Sequence, residues 1–442
     1  MTRIIAFLIA ILAMGLARAE PPVTTFTLEN GLKAVVIEDH RAPVVTHMVW
    51  YPVGAADEPW GTSGIAHFFE HMMFRGSADY PNGIASQVIA ENGGSENAFT
   101  SYDYTAYFQR IAADRLDIVM DIESDRMENL RINADVVATE RKVILEERAQ
   151  RTDSSPQGLF SEQMRAALYL NHPYAVPVIG WRHEIERLSL EDLTEFYRRY
   201  YAPDNAILVV AGAVTPEEVR RLAEIHYGPL EPSGQPPEPR PSEPPQLAAR
   251  RLEMADPKVR QPYVTRLYLA PTYASGDPTE AAALMLLAEI LGRGVSARFS
   301  QALELESRIA IDTGAWHSEG QRDAAEFGIY GLPAPGVSLD EVEAGLDRVI
   351  DQMIAEGPTE EEVARIKQKL RAARIFAQDS QSSQANKYGA ALAVGLTVEQ
   401  IHAWPAIVEA VTPADIQAAA ATYLVPERSV TGRLTRAEEP SQ

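Results

Sequence analysis

Apolar residues follow two spacings along this chain. Residues 24–37 and Val44–Tyr51 carry β-branched and aromatic side chains in short runs that predict strands, and 101–110 alternates like an edge strand. Spacings of three and four residues predict helices over 64–74, 113–129, 134–151 and Leu190–Tyr200. The same period returns over 278–291, 339–355 and 359–378. Thr359 and Glu362, just after Gly357-Pro358, form a capping box that sets the start of the last helix. Strands and long helices mix throughout, so the pattern predicts an α+β fold.

The pattern also repeats. Asp192-Leu193 and Tyr200-x-x-Pro203 return as Asp415-Ile416 and Tyr423-x-x-Pro426, all at an offset of 223. In each copy a helix ends before the proline and an apolar strand follows, at 207–211 and at 429–434. Midway between them lies 228–246, where eight of nineteen residues are proline, a composition that favours extended backbone. The expected organisation is therefore a duplication. Two homologous halves, 20–227 and 249–436, flank a Pro-rich linker at 228–248, with a short tail at 437–442.

Composition narrows the function. The 442 residues are 46% hydrophobic and 23% charged, the balance of a globular chain able to bury more than one core. Forty basic against 62 acidic residues leave a formal charge of −22. That argues against nucleic-acid partners and docking on anionic lipid, and is compatible with cationic substrates. There is no cysteine, so thiol nucleophiles, Cys-bound zinc, iron–sulfur clusters and disulfides are excluded. Any metal site must draw on His, Asp or Glu.

Arg3, the apolar run 4–16 and Ala17-Arg18-Ala19 predict a secretory signal peptide, 1–19, cleaved between Ala19 and Glu20. The alternative is an uncleaved anchor, for which the run is short. Cleavage removes Arg3 and Arg18 and takes the charge from −22 to −24. No later segment resembles a transmembrane helix, so no stable membrane span is expected after cleavage. An exported chain without cysteine suits the periplasm.

The chemistry concentrates in Gly64-Ile-Ala-His67-Phe-Phe-Glu70-His71-Met-Met-Phe74. Positions i, i+3 and i+4 share one helix face, so His67 and His71 can reach one cation with Glu70 beside them. Two such histidines suit zinc, and a neighbouring carboxylate can take a proton from the attacking water. A catalytic zinc site also needs a third ligand. The helix at 134–151 carries Glu140 and Glu147 on one face, whereas the corresponding helix of the second half has Ile366 and Ala373 there. A solvated, salt-bridged helix would show the same acidic face.

These residues resemble the inverted-motif (His-x-x-Glu-His) zinc metallopeptidases, the pitrilysin, insulin-degrading and mitochondrial processing peptidase family, in its two-half bacterial form. The resemblance runs from about Thr25 to Leu434. It implies two halves of mixed, mostly antiparallel sheet packed with helices, together forming half of a clamshell peptidase chamber. It implies that His67, His71 and Glu147 bind one Zn2+ per chain, that Glu70 is the general base, and that Glu140 supports the site. The family's further zinc-binding Glu lies about 76 residues past the motif, which lands on Glu147. The block Gly93-Gly-Ser-Glu-Asn97-Ala98-Phe99-Thr100 is similar to the family's substrate-binding edge strand. There Asn97, Ala98 and Phe99 would touch a peptide added as an extra strand. The segment His172-Pro-Tyr-Ala-Val-Pro-Val-Ile-Gly180 is also family-like and reads as structural.

One departure matters. In family members complete within one chain or in identical pairs, the second half supplies an Arg and, seven residues later, a Tyr that hold substrate. Alignment puts Glu304 and Ile311 in those places, with Arg308 out of register. An anion cannot replace a donor to a carbonyl. The expectation is a catalytic subunit of a heteromer whose homologous partner lacks the zinc motif but carries the Arg/Tyr pair. An active homodimer is one alternative. A non-catalytic assembly subunit is another. A structural zinc site is a third, and it would need a fourth ligand such as His47, His172 or His183.

Overall fold

The computed structural model describes residues 22–236 and 238–437. The expected signal segment 1–19 and the tail beyond 437 lie outside the described residues.

Six strands build the first sheet: β1 (Val23–Thr27), β2 (Lys33–Glu38), β3 (Val44–Tyr51), β4 (Ser95–Thr100), β5 (Thr105–Ala112) and β6 (Ile207–Gly212). They lie in the order β1-β2-β6-β3-β5-β4. The second sheet holds β7 (Arg250–Asp256), β8 (Tyr263–Ala270), β9 (Ala310–His317), β10 (Ala325–Pro333) and β11 (Ser429–Arg436), in the order β7-β11-β8-β10-β9. Apart from β1 the two orders are the same. In each sheet one pair is parallel, β2 with β6 and β7 with β11, and the other neighbours are antiparallel. The duplication expected from the repeated motif is thus a duplicated topology.

Among the described residues eight helices belong to the first half: α1 (Ile65–Met72), α2 (Ile84–Glu91), α3 (Leu116–Asn129), α4 (Ala134–Arg148), α5 (Pro156–Leu168), α6 (Arg182–Ile185), α7 (Leu190–Tyr200) and α8 (Pro216–His226). Six follow in the second: α9 (Pro278–Gly292), α10 (Leu339–Glu356), α11 (Glu360–Ala377), α12 (Gln381–Ala393), α13 (Val398–Ala410) and α14 (Pro413–Tyr423). The capping box at Thr359 and Glu362 is formed, each side chain bonding the other residue's backbone N–H.

Three expected elements need correction. Residues 24–37 are not one strand but the hairpin β1–β2, broken where Gly31 takes a φ of +93° that permits a turn. The turn is invisible to periodicity because apolar positions continue on both sides of it. Residues 101–104 form the turn between β4 and β5, and β5 lies inside the sheet, so the edge strand is β4. Within β5 Gln109 is fully buried, bonded to His47 and Glu123. Finally, α4 stops at Arg148, and 149–153 continues with π-type hydrogen bonding.

Each half covers one face of its own sheet with its own helices and covers the far face of the other half's sheet with a borrowed one. Ala385, Tyr388 and Ala393 of α12 pack on Val35, Met48, Trp50 and Val209 of the first sheet. Reciprocally, Phe160, Met164 and Leu168 of α5 pack on Leu267, Val430 and Leu434 of the second. Each Val, Leu, Phe or Met among them, fully buried, contributes about 1.5–3 kcal/mol, so the exchange binds the halves through apolar contact.

The proline-rich stretch is docked as well. The Arg240 side chain, 6% exposed, bonds Asp57 of the first half (2.9 and 2.8 Å), Asp103 of the β4–β5 turn (2.5 Å) and Asp323 of the second half (3.1 Å). The Glu243 carboxylate accepts from the backbone N–H groups of Leu170, Asn171 and His172. Among the described residues no single helix is long and apolar enough to cross a membrane.

Candidate metal centre and substrate cleft

Helix α1 begins abruptly. Gly64 precedes it with φ +86°, and a Cβ there would stand 2.5 Å from the Ile179 carbonyl oxygen. Gly180 backs onto Ser63 as closely, a Cβ there standing 2.4 Å from the Ser63 carbonyl oxygen, and Val178 and Ile179 of the same segment line the cleft. The Glu58 carboxylate accepts from the N–H groups of Gly64 and Ala66, both at 2.9 Å, and so satisfies donors the first helical turn leaves open. Phe68, Phe69 and Met72 anchor the apolar side in the first core, leaving His67, Glu70 and His71 toward a cleft.

Helix α4 approaches from the other side. The Asn133 side chain caps it by accepting from Asp135 and Val136 N–H, and Val137 and Ile144 hold it to the core. Glu140 and Glu147 then face α1. Glu147 Oε2 lies 3.6 Å from His67 Nε2 and 3.3 Å from His71 Nε2. Glu140 Oε2 is 3.6 Å from His71 Nδ1, while its other oxygen takes the Arg75 Nε–H at 2.7 Å. Arg151, one turn beyond α4, pairs with Glu147 at 2.5 Å.

The donor set fits zinc. One ligand atom each from His67, His71 and Glu147 lies within 4.8 Å of the other two. Two ligands about 2.0–2.2 Å from one ion at a tetrahedral angle stand roughly 3.4 Å apart, and the imidazole–carboxylate separations are 3.3 and 3.6 Å. Burial, with His71 and Arg151 nearby, pushes the His67 imidazolium down to about 3, so the ring is neutral and able to ligate at pH 7. Burial raises the Glu70 carboxyl above its ordinary value, opposed by a hydrogen bond from Thr100 and by His71. The Thr100 hydroxyl donates to Glu70 Oε2 at 2.5 Å.

The cleft has a volume of about 900 Å3, and His67, Glu70, His71 and Glu147 line it together with Asn97, Ala98, Phe99 and Thr100. Its wall is therefore β4, whose outer edge has no neighbouring strand among the described residues. Every residue expected at the zinc, base and substrate positions is lined up on this one cleft, with Glu140 directly behind His71. His47, His172 and His183 are not. His47 bonds Gln109 (2.8 Å) and Tyr227 (3.1 Å) in the core, His172 accepts from Tyr174 N–H, and His183 is exposed on α6.

In the second half, Glu304 lies in the π-type stretch 300–306 and accepts from Ser300 and Thr313 hydroxyls. Ile311 is half exposed on the edge strand β9, and Arg308, at φ +56°, is exposed on the turn before it. Four residues here had no assigned role from sequence: Glu58, Arg75, Thr100 and Arg151. The i, i+4 spacing of Arg151 from Glu147 was a readable signal. The partnership of Thr100 with Glu70 was not, because nothing local brings β4 to α1.

The chain is similar to known proteins. Residues 33–181 match the family described as insulinase (peptidase family M16), and residues 187–370 match the peptidase M16 inactive domain. A zinc protease PqqE of Helicobacter pylori is 29% identical over 371 residues, 83% of each chain. The mitochondrial-processing peptidase subunit beta of Lentinula edodes is 26% identical over 90% of this chain and 86% of its own. A crystal structure of a protease from Helicobacter pylori superposes with a TM-score of 0.89 at 27% identity, covering 94% of this chain and all of that one. The paired matches, the relatives spanning both halves and the duplicated sheets together make this chain a member of the M16, or insulinase, peptidase family.

Proposed function

We propose that the chain is a zinc-dependent endopeptidase acting on peptides or unfolded segments. The observation that carries this is the convergence of His67, His71, Glu147 and Glu70 on the cleft that the open edge of β4 borders. His67, His71 and Glu147 would hold one Zn2+. Bound there, zinc supplies a Lewis acid that polarises the scissile carbonyl and makes water acidic. Glu70 takes the proton from water at its free oxygen and returns it to the leaving amine. Glu140 orients the His71 ring through Nδ1. The peptide pairs with the backbone of β4 at Asn97, Ala98 and Phe99, a mode that reads main chain and tolerates many sequences.

Glu70→Gln tests the assignment. The variant should keep one zinc per chain by elemental analysis and lose turnover of a quenched-fluorescent peptide, whereas His67→Ala should lose the metal. Retained turnover in Glu70→Gln, or full activity of metal-free protein, would sink the reading.

We further propose that this chain is the catalytic subunit of a heteromer. Glu304 and Ile311 offer no donor comparable to an Arg/Tyr pair, so a homologous partner without the zinc motif would supply one. Assay of the chain alone and mixed with such a homologue decides this. Full activity alone would favour a homodimer, and inactivity in every mixture would favour an assembly subunit. Residues 1–19 are proposed to direct export to the periplasm, with 20–227 and 249–436 as the two domains of the mature chain and 228–248 between them. The mass of the exported protein tests cleavage between Ala19 and Glu20.

A further inference from the structure

We propose that Thr100 is the positioning residue for Glu70, and that it ties the alignment of the base to the strand on which the substrate is seated. The inference rests on the peptidase reading above.

Glu70 projects from α1 and could rotate about its side-chain torsions in the cleft. The Thr100 hydroxyl restrains it by donating to Oε2 at 2.5 Å. That commits one carboxylate oxygen as an acceptor from threonine and leaves Oε1 as the oxygen that takes the proton from water. The hydroxyl keeps its own proton. During turnover Oε1 gains a proton from water and passes it to the leaving amine, so the Thr100 bond persists while the other oxygen cycles.

Thr100 itself is held rigidly. It ends β4 paired with Thr105, and the buried Thr105 hydroxyl donates to the Val53 carbonyl at 3.0 Å. The turn that follows is closed by Ser101 N–H to the Tyr104 carbonyl at 2.8 Å. Phe99, the residue before, packs edge-on against Trp50 with ring centroids 5.3 Å apart. Asn97, Ala98 and Phe99 immediately precede Thr100 on the same strand. A peptide in register with them is therefore in register with the hydroxyl that aims the base, although strand and helix come from separate parts of the chain.

Thr100→Val keeps the shape and removes the hydroxyl; Thr100→Ser keeps the hydroxyl. Expected for Thr100→Val is a kcat lowered by about 10- to 100-fold, the cost typical of a misplaced catalytic group. KM should stay within about twofold, because the β4 backbone that binds substrate is unchanged. Zinc stoichiometry and melting temperature should match the wild type, and Thr100→Ser should recover most of kcat. A Thr100→Val kcat within twofold of wild type would overturn the proposal. So would a Thr100→Ser variant as impaired as Thr100→Val. Wild type and Glu70→Gln are assayed in the same series, alone and mixed with the homologous partner: a wild type without chelator-sensitive turnover in every mixture would fail the peptidase reading itself, and the role of Thr100 with it.

Discussion

Gly389 of α12 lies against the indole of Trp50 in the first sheet so closely that a Cβ there would stand 2.1 Å from Trp50 Cε2. The reciprocal contact is as tight: a Cβ on Gly432 of β11 would stand 2.2 Å from Met164 Sδ on α5. Glycine is thus required where each half lends its helix to the other. Gly389→Ala should force α12 outward and cost about 1–3 kcal/mol, the usual penalty of overpacking. Thermal unfolding would show this as a lowered melting temperature, with Ser383→Ala, on the exposed side of the same helix, as the control. Equal melting temperatures for the two variants would contradict the packing.

Glu140 should act through the metal ligand His71. Its carboxylate is buried between the Arg75 guanidinium and His71 Nδ1. Loss of such a support typically weakens metal binding by about 10- to 100-fold. Glu140→Gln, titrated against a competing chelator, should show that loss while remaining folded. An unchanged zinc affinity would assign Glu140 to Arg75 alone.

Removing the cation that docks the proline-rich stretch should be severe. Arg240→Ala leaves Asp57, Asp103 and Asp323 facing one another without the guanidinium that pairs with all three. Breaking a buried pair from one side costs about 3–5 kcal/mol. Urea unfolding should report a lower midpoint, and limited proteolysis should cut the proline-rich stretch sooner. A variant as stable as the wild type would mean that this docking carries no weight.

Acid should loosen the second half in a defined window. Burial acts to raise the Glu343 carboxyl, but hydrogen bonds from Arg251 and Arg433 and the charge of Arg266 outweigh it and bring the carboxyl down to about 2. A group depressed in the folded state contributes stability that is fully present above its unfolded value of 4.5 and is lost as pH falls through the folded value. Stability measured from pH 6 to pH 2 should therefore decline below about 4.5, and Glu343→Gln should flatten part of that decline. A variant that keeps the full wild-type slope would show that other carboxylates carry it.

What could be read in advance was local. His67, Glu70 and His71 share a face because three- and four-residue spacing on a helix dictates it, whatever surrounds the helix. Glu140 and Glu147 share a face for the same reason. That these two faces meet was legible only by resemblance to a family whose spacing matches. Residues 24–37 and 101–110 were misjudged because periodicity records which side a residue faces and carries no information on where one strand stops or which strand lies beside it. Arg240 looked like part of a linker because the proline-rich composition around it favours extended backbone.

Order along the chain settled the α+β class, the duplication, the helix that presents two histidines and a glutamate, and the chemistry open to a chain without cysteine. Long-range pairing decided the rest. Sheet order made β4 an open edge beside α1, brought the Thr100 hydroxyl onto Glu70, exchanged α5 and α12 between the halves, and seated Arg240 among three aspartates. The reason is physical. Helical faces and turns follow from interactions within a few residues, whereas contacts across the molecule depend on which sheet faces can be buried together, and only the packed whole determines that.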